Sequence, residues 1–298
     1  KNIILYPTDF SKLSEDSIPW AVSLALQQKA KLILYHAHPR NEKYERSDIA
    51  HKAQKTVRQE SLQKLGDIEI KLKQKYGNIL NMTTEFDECD EKKLETHMKA
   101  MVTKHKVTLV IMSMKSETFG NKTTRIIYHM QVPVLVLPKR AIYTKQQTKR
   151  EIKLGHVLYA TQFNKNELLK QPFTNCVNFV NKMESSHSLH IVHVKKPEEG
   201  STIQCADEEA TKLLTKSLLK NHKELVKPLV NERKLFVDVF YDAKVDHGLL
   251  SYIQNNDIDT IVMVRKKRWG LSAMFHKSHT KNLCKQSSKP ILVLHEKK

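Results

Sequence analysis

Two groups of closely spaced histidines are the first candidates for chemistry in this sequence. His276 and His279 lie three residues apart on a predicted helix, a spacing that can place two imidazoles on one face for a metal ion. Lysines surround this pair and no third ligand accompanies it, which favours a surface helix. The second group lies in a loop and a predicted strand and consists of His187, His190 and His193. Because side chains alternate along a strand, these histidines lie on different faces. The sequence therefore predicts no metal site.

No spacing typical of a nucleophilic or redox site is present. The four cysteines, Cys89, Cys176, Cys205 and Cys284, lie far apart without a CxxC pair. We interpret them as free thiols of a reducing, cytoplasmic compartment. The chain also lacks a G-x-S-x-G turn, which exposes the catalytic serine of many hydrolases. We therefore expect no enzymatic activity.

Glycine, which allows a loop to hold phosphate through its backbone amides, is scarce in this sequence as well. The chain has seven glycines, where average usage of about 7% would give about twenty. None of them forms a GxGxxG or Walker pattern. A basic run from Arg265 to Arg268, followed by Trp269, could hold an anion through its side chains, although a solvated surface loop is the simpler interpretation.

The elements that must position such groups occur twice along the chain. LYPTDFS at 5–11 matches LYATQFN at 158–164, and PVLVLPK at 133–139 matches PILVLHE at 290–296. The polar, basic stretch between the copies has no periodic apolar spacing and reads as a linker. We therefore predict a first domain at 1–140, a linker at 141–153 and a second domain at 154–298.

Each copy alternates short Val-, Ile- and Leu-rich runs with longer helical patterns. The runs predict strands at 2–7, 31–37, 82–86, 107–113 and 133–137, then at 155–161, 188–194, 235–241, 258–264 and 290–295. This alternation predicts an α/β fold, with two tandem, doubly wound parallel sheets of the Rossmann-like kind. In such a sheet the ligand crevice lies beyond the carboxyl ends of the strands, where the strand order reverses. We expect His36 and His193 to point toward these crevices, in hydrogen-bonded structural roles.

At these strand ends each half resembles the universal stress protein family, a group of adenine nucleotide alpha hydrolase-like domains. The motif PTDFSKLS, the pairs His36-Ala37 and His193-Val194, and the final strands PVLVL and PILVL carry the resemblance. It implies that Asp9 stands where nucleotide-binding members contact adenine, and that Ala37 and Val194 are further nucleotide-binding positions. It also implies a phosphate loop of the form G-x2-G-x9-G-[ST] after the fourth strand.

Neither half keeps the whole of this implied site. In the second half Val264, Lys267 and Lys277 occupy the glycine positions and Ser278 the hydroxyl position, while Gln162 replaces the aspartate. In the first half Ser113 stands at the first glycine position, and Gly120 and Asn121 match the closing pair. Because side chains at these positions keep backbone amides away from phosphates, we expect no required cofactor and only weak binding of ATP or another adenine nucleotide.

The charge and the hydropathy of the chain limit the classes of partner that it can bind. The net charge is +19, but lysines alternate with acidic residues along the chain, which predicts a solvated basic surface rather than a specific nucleic-acid site. No apolar run approaches the roughly 20 residues of a membrane span, and we expect no membrane partner and no export signal.

Three functional hypotheses follow from these observations. The leading one is a non-catalytic stress-response protein whose halves form an intramolecular pseudo-dimer, with further homo-oligomers open. The second is a sensor of an adenine nucleotide or small anion that keeps binding in one half. The third is nonspecific nucleic-acid binding through the basic surface.

Overall fold

A computed structural model of the chain describes residues 2–40, 48–90, 93–114, 125–127, 129–148, 152, 154–161, 171–181, 188–195, 220, 234–265 and 282–295. It divides the chain into two compact units, Lys1–Thr148 and Lys149–Lys298. Each unit contains an alternating series of strands and helices.

The first unit is built on a parallel sheet in the order β3-β2-β1-β4-β5. Its strands are β1 (Ile3–Pro7), β2 (Lys31–Arg40), β3 (Met82–Asp90), β4 (Leu109–Met114) and β5 (Val134–Pro138). Its helices include α1 (Lys12–Gln27), α2 (Asp48–Tyr76), α3 (Leu94–Lys104) and α4 (Lys139–Thr148), with a 3-10 turn at Gly77–Ile79 and a short helical segment at 125–127.

The second unit repeats this sheet in the order β8-β7-β6-β9-β10, again with parallel pairing throughout. Its strands are β6 (Val157–Ala160), β7 (Ser188–Lys195), β8 (Lys234–Tyr241), β9 (Thr260–Arg265) and β10 (Ile291–His295). Its helices include α5 (Gln171–Asn181), α6 (Val245–Asn255) and a short helix at 282–286. The predicted fold class is thereby confirmed.

Continuous apolar runs form the centre of both sheets because parallel strands are covered on both faces. Ile4, Leu5 and Tyr6 of β1 are fully buried, and so are Val157, Leu158 and Tyr159 in the equivalent strand β6. The order reverses beside β1 in the first sheet and beside β6 in the second, which creates a crevice at the carboxyl ends of these strands.

Helix α1 starts at this crevice because the sequence supplies an N-terminal cap. Ser11 is the cap residue, and its hydroxyl accepts a hydrogen bond from the backbone N–H of Ser14. Glu15 adds a negative charge in the first turn, where it complements the helix dipole. Pro19 lies inside the helix rather than in its first turn, and its side chain is exposed.

The segment predicted as the linker, 141–153, is helical up to Thr148 as part of α4. Ala141 and Ile142 are buried at 2% and 0% exposure, so the start of this segment packs as part of the first unit. Among the described helices, none has the length and apolar character needed to cross a membrane.

Candidate functional site

A cavity of about 360 Å³ lies at the predicted crevice of the first unit. Thr8 and Asp9 reach it from the end of β1, His36 and Ala37 from β2, and Ser113 from β4. Much of the remaining wall is apolar and comes from Leu94, Met98, Met112 and Ile126. The structure therefore brings three of the predicted site residues, Asp9, Ala37 and Ser113, to one cavity.

Asp9 is held in a fixed orientation at the mouth of this cavity. Its Oδ1 accepts a hydrogen bond of 3.0 Å from the backbone N–H of Ser11, the cap residue of α1. The side chain is exposed and lies beside the amino-terminal end of α1. Asp9 thus presents a hydrogen-bond acceptor to a ligand in the crevice.

The turn from β1 to α1 is tightly connected to β2. The N–H of Thr8 donates to the Tyr35 carbonyl at 2.8 Å, and its Oγ1 accepts from the Phe10 N–H at 3.1 Å and the Ser14 hydroxyl at 3.0 Å. Phe10 adopts a φ of 57°, which is strained for an aromatic residue. Its ring packs on His36, with centroids 4.2 Å apart.

His36 and His193 occupy equivalent places in the two units. The Nδ1 of His36 lies 2.8 Å from the Thr8 carbonyl, and that of His193 lies 2.9 Å from the Thr161 carbonyl. A carbonyl only accepts, so both imidazoles donate from Nδ1. Burial lowers the pKa of His36 below its usual value, which keeps this ring neutral with Nε2 as an acceptor. The hydrogen bond predicted for each histidine is observed.

The second crevice is packed differently at the position that corresponds to Ala37. Val194 occupies it and is 7% exposed. The strand register places Asp87 opposite Ala37, but Phe240 opposite Val194. A Cβ added to Gly248 of α6 would lie 2.8 Å from Val194 Cγ1 and 3.3 Å from Phe240 Cδ1. Large apolar side chains and close helix packing therefore fill this part of the second crevice.

A hydrogen-bonded chain behind the first cavity was not predicted from the sequence. The hydroxyl of Tyr35, which lines the cavity, lies 3.5 Å from Asp87 Oδ2, and the same oxygen lies 2.7 Å from His97 Nδ1. Burial and the nearby carboxylate raise the pKa of Tyr35 far above its usual value, so its hydroxyl remains protonated and donates to Asp87. These residues come from β2, β3 and α3, and no linear spacing reveals their convergence.

The remaining predicted site residues are placed as follows. Val264 lies in β9 and pairs with Leu294 of β10. The other predicted positions, Gly120, Asn121, Gln162, Lys267, Lys277 and Ser278, lie outside the described residues. So do Trp269, His187, His276 and His279.

A second polar cluster lies at the amino ends of the strands in the second unit. Ser188 Oγ is 2.8 Å from His156 Nδ1 and 2.9 Å from His190 Nε2, and His190 Nδ1 is 3.0 Å from the Tyr252 hydroxyl. Ser188 is only 3% exposed, so its hydroxyl is inaccessible to a macromolecular substrate. In the described parts of the chain, no group of three or more His, Cys, Asp or Glu side chains is arranged for a metal ion.

Comparisons with known proteins agree with the geometry. The sequence model of the universal stress protein family matches residues 2–138 and 180–295. A crystal structure of a universal stress protein from Archaeoglobus fulgidus DSM 4304 superposes with a TM-score of 0.65 at 15% identity, covering 99% of this chain and 96% of that one. A protein of unknown function from Pseudomonas aeruginosa PAO1 gives a TM-score of 0.65 at 14% identity, covering 99% and 92%. No curated protein matches the sequence significantly.

Proposed function

The chain belongs to the universal stress protein family, and we propose that it is a non-catalytic stress-response protein whose first unit senses a small ligand. The observation that carries this proposal is the cavity of about 360 Å³ that holds Asp9, Ala37 and Ser113. Its size falls within the range of about 300–1,000 Å³ that is typical of small-molecule sites. Its apolar wall with a few convergent polar groups is also typical of such sites.

The ligand class that we propose is an adenine nucleotide held mainly at its base end. Asp9 and the Nε2 of His36 are acceptors suited to N–H groups of a heterocycle, and Ala37 leaves room for a flat ring. Hydrogen bonds to charged groups contribute about 1.5–3 kcal/mol each. Loss of two phosphate contacts at glycine positions such as Ser113 therefore weakens binding by about 3–6 kcal/mol, or roughly 10² to 10⁴-fold. Tight binding of the triphosphate is therefore not expected.

Calorimetry on the full chain tests this proposal. We expect saturable heat with ATP, ADP or adenosine, and loss of that heat in Ala37→Leu, which fills the floor of the cavity. Gly66→Ala is the matched control, because a Cβ added to Gly66 of α2 would have no atom within 4 Å. No heat at millimolar ligand, or equal binding by Ala37→Leu, would refute the proposed sensor.

We also propose that the two units associate within one chain. In each unit one strand, β5 or β10, forms the last member of its own sheet, and an unprotected sheet edge favours uncontrolled association. Light scattering tests the assembly: a monodisperse species near 34.6 kDa supports an intramolecular pair, whereas a monodisperse tetramer would revise the assembly without excluding the fold.

A reducing, cytoplasmic location completes the proposal. The described cysteines, Cys89, Cys176 and Cys284, are buried and form no disulfide, which is consistent with thiols that never meet an oxidising environment. Fractionation of the source cells tests this location, and recovery with a secreted or periplasmic fraction would contradict it.

A further inference from the structure

Folding gathers lysines on the edge of the first sheet where its strands begin. Three connections lead into this edge: the turn from α1 to β2, the turn from α2 to β3, and the turn from α3 to β4. The lysines of these connections and of the adjoining helix ends are Lys29, Lys31, Lys71, Lys73, Lys75, Lys104 and Lys106. We call this set the basic edge.

Backbone hydrogen bonds fix the order of these connections along the edge. Leu32 N–H donates to the Asn81 carbonyl at 2.9 Å, Lys31 N–H to the Asn2 carbonyl at 3.0 Å, and Thr108 N–H to the Ile3 carbonyl at 2.8 Å. The starts of β3, β2, β1 and β4 therefore follow one another. Since neighbouring strands are about 4.8 Å apart, the basic edge spans roughly 15 Å.

Few acidic groups neutralise the basic edge. Glu69 pairs with Lys73 at 2.5 Å, and Glu85 pairs with Lys104 at 3.2 Å and with His105 at 3.0 Å. Within the described residues the other five lysines make no ion pair, although the ammonium of Lys75 lies 5.2 Å from the Tyr76 ring centroid. The edge therefore carries a local excess of positive charge that suits an anionic partner.

An exposed aliphatic side chain projects from the same edge. Ile79 is 82% exposed, more than any other large hydrophobic residue in the described part of the chain. It ends the short turn that begins at Gly77, whose φ of 55° suits glycine. The residue lies four positions after Lys75 in the sequence, so an apolar tip stands close to the lysines at the end of α2.

We infer that the basic edge docks the protein on an anionic lipid surface, with the lysines against the head groups and Ile79 in the outer acyl region. Binding at a lipid surface grows with the apolar area that enters the acyl boundary and with electrostatic attraction to anionic head groups, to which each lysine near the surface contributes about 1 kcal/mol. Nucleic acid shares the anionic chemistry, but an aliphatic side chain enters DNA only as a wedge that unstacks neighbouring bases, at a cost of a few kcal/mol. The acyl region of a lipid surface accepts the same side chain without that cost, so Ile79 favours the lipid surface.

Vesicle sedimentation with the full chain tests this inference. We expect the protein to bind phosphatidylcholine vesicles that contain 30% phosphatidylserine and not to bind vesicles of pure phosphatidylcholine. The bound protein should dissociate as the salt concentration rises. Lys71→Gln with Lys75→Gln should reduce partitioning by roughly 30-fold, because each lysine near an anionic surface contributes about a factor of five. Ile79→Ser should reduce it by on the order of tenfold.

Lys52→Gln with Lys55→Gln is the matched control, since it removes the same charge from the same helix about 28 Å away. This pair should leave partitioning nearly unchanged, and thermal melts should show that all variants fold. The inference is overturned if the wild type ignores phosphatidylserine, if Ile79→Ser partitions like the wild type, or if the control pair matters equally. It is also overturned if the protein binds duplex DNA more tightly than vesicles at the same salt.

Discussion

Stability of the second unit should fall between pH 7.5 and pH 5 because of one buried imidazole. His190 is 6% exposed, and its two ring nitrogens lie within 3.0 Å of the Tyr252 and Ser188 oxygens. Burial, with a smaller contribution from His156, lowers the pKa of His190 to about 4. The ring therefore stays neutral in the folded protein under conditions in which the unfolded chain takes up a proton.

The sign and size of the effect follow from this difference. A lowered pKa means that the contribution is complete above the unfolded value of about 6.5 and is lost as pH falls from there toward 4. The total is about 3 kcal/mol, of which about 2 kcal/mol is lost by pH 5. The basis is one proton that the unfolded state binds and the native state does not.

Urea unfolding at pH 7.5, 6.0 and 5.0 measures this loss, with NMR of the histidine side chains as an independent titration. His190→Gln should lower stability at pH 7.5 but show a flatter dependence on pH. His247→Gln is the control, because the side chain of His247 is 70% exposed. A titration midpoint of His190 near 6.5, or a wild-type pH slope in His190→Gln, would refute the reasoning.

Two further predictions concern packing and thiol reactivity. Gly248→Ala should lower the free energy of unfolding by about 1–2 kcal/mol, because overpacking against Val194 outweighs the better helix propensity of alanine. Gly66→Ala should raise the free energy of unfolding by about 0.5–1 kcal/mol, because its added Cβ meets no atom within 4 Å. Urea titrations of both variants check this pair, and equal shifts would contradict the role assigned to close packing. Cys176 and Cys284 are fully buried, and burial raises the pKa of the Cys284 thiol to about 12. Both thiols should therefore resist alkylation until the protein is denatured, as residue-resolved mass spectrometry would show; rapid native labelling would contradict the packing.

Much of the fold could be predicted because its signals are local and repeated. Continuous apolar runs indicate buried parallel strands, and the run at 133–137 is repeated at 290–295. The convergence of Asp9, Ala37 and Ser113 was also predictable, because the carboxyl ends of neighbouring parallel strands meet at one edge. Helix α4 was missed because its few buried residues, such as Ala141 and Ile142, are too few to give a periodic pattern.

Contacts between different elements could not be read from linear spacing. The chain from Tyr35 through Asp87 to His97 depends on register and on the approach of α3. The same applies to the lysines, which alternate with acidic residues along the sequence but gather at the basic edge once three separate connections meet. The expectation of no membrane partner came from the absence of an apolar span, a criterion that does not detect surface docking.

The packing at Gly248 has a consequence for how the two halves could evolve or be redesigned. Val194, Phe240 and Gly248 belong to β7, β8 and α6, and each fills space that the others leave. A smaller residue at one position would leave a void. A larger residue at Gly248 needs more than smaller residues at the other two positions, because its Cβ would also lie 2.9 Å from Asp242 Cβ. Transplanting the first crevice into the second half therefore demands concerted replacement on three elements, which makes the divergence of the duplicated halves hard to reverse by single steps.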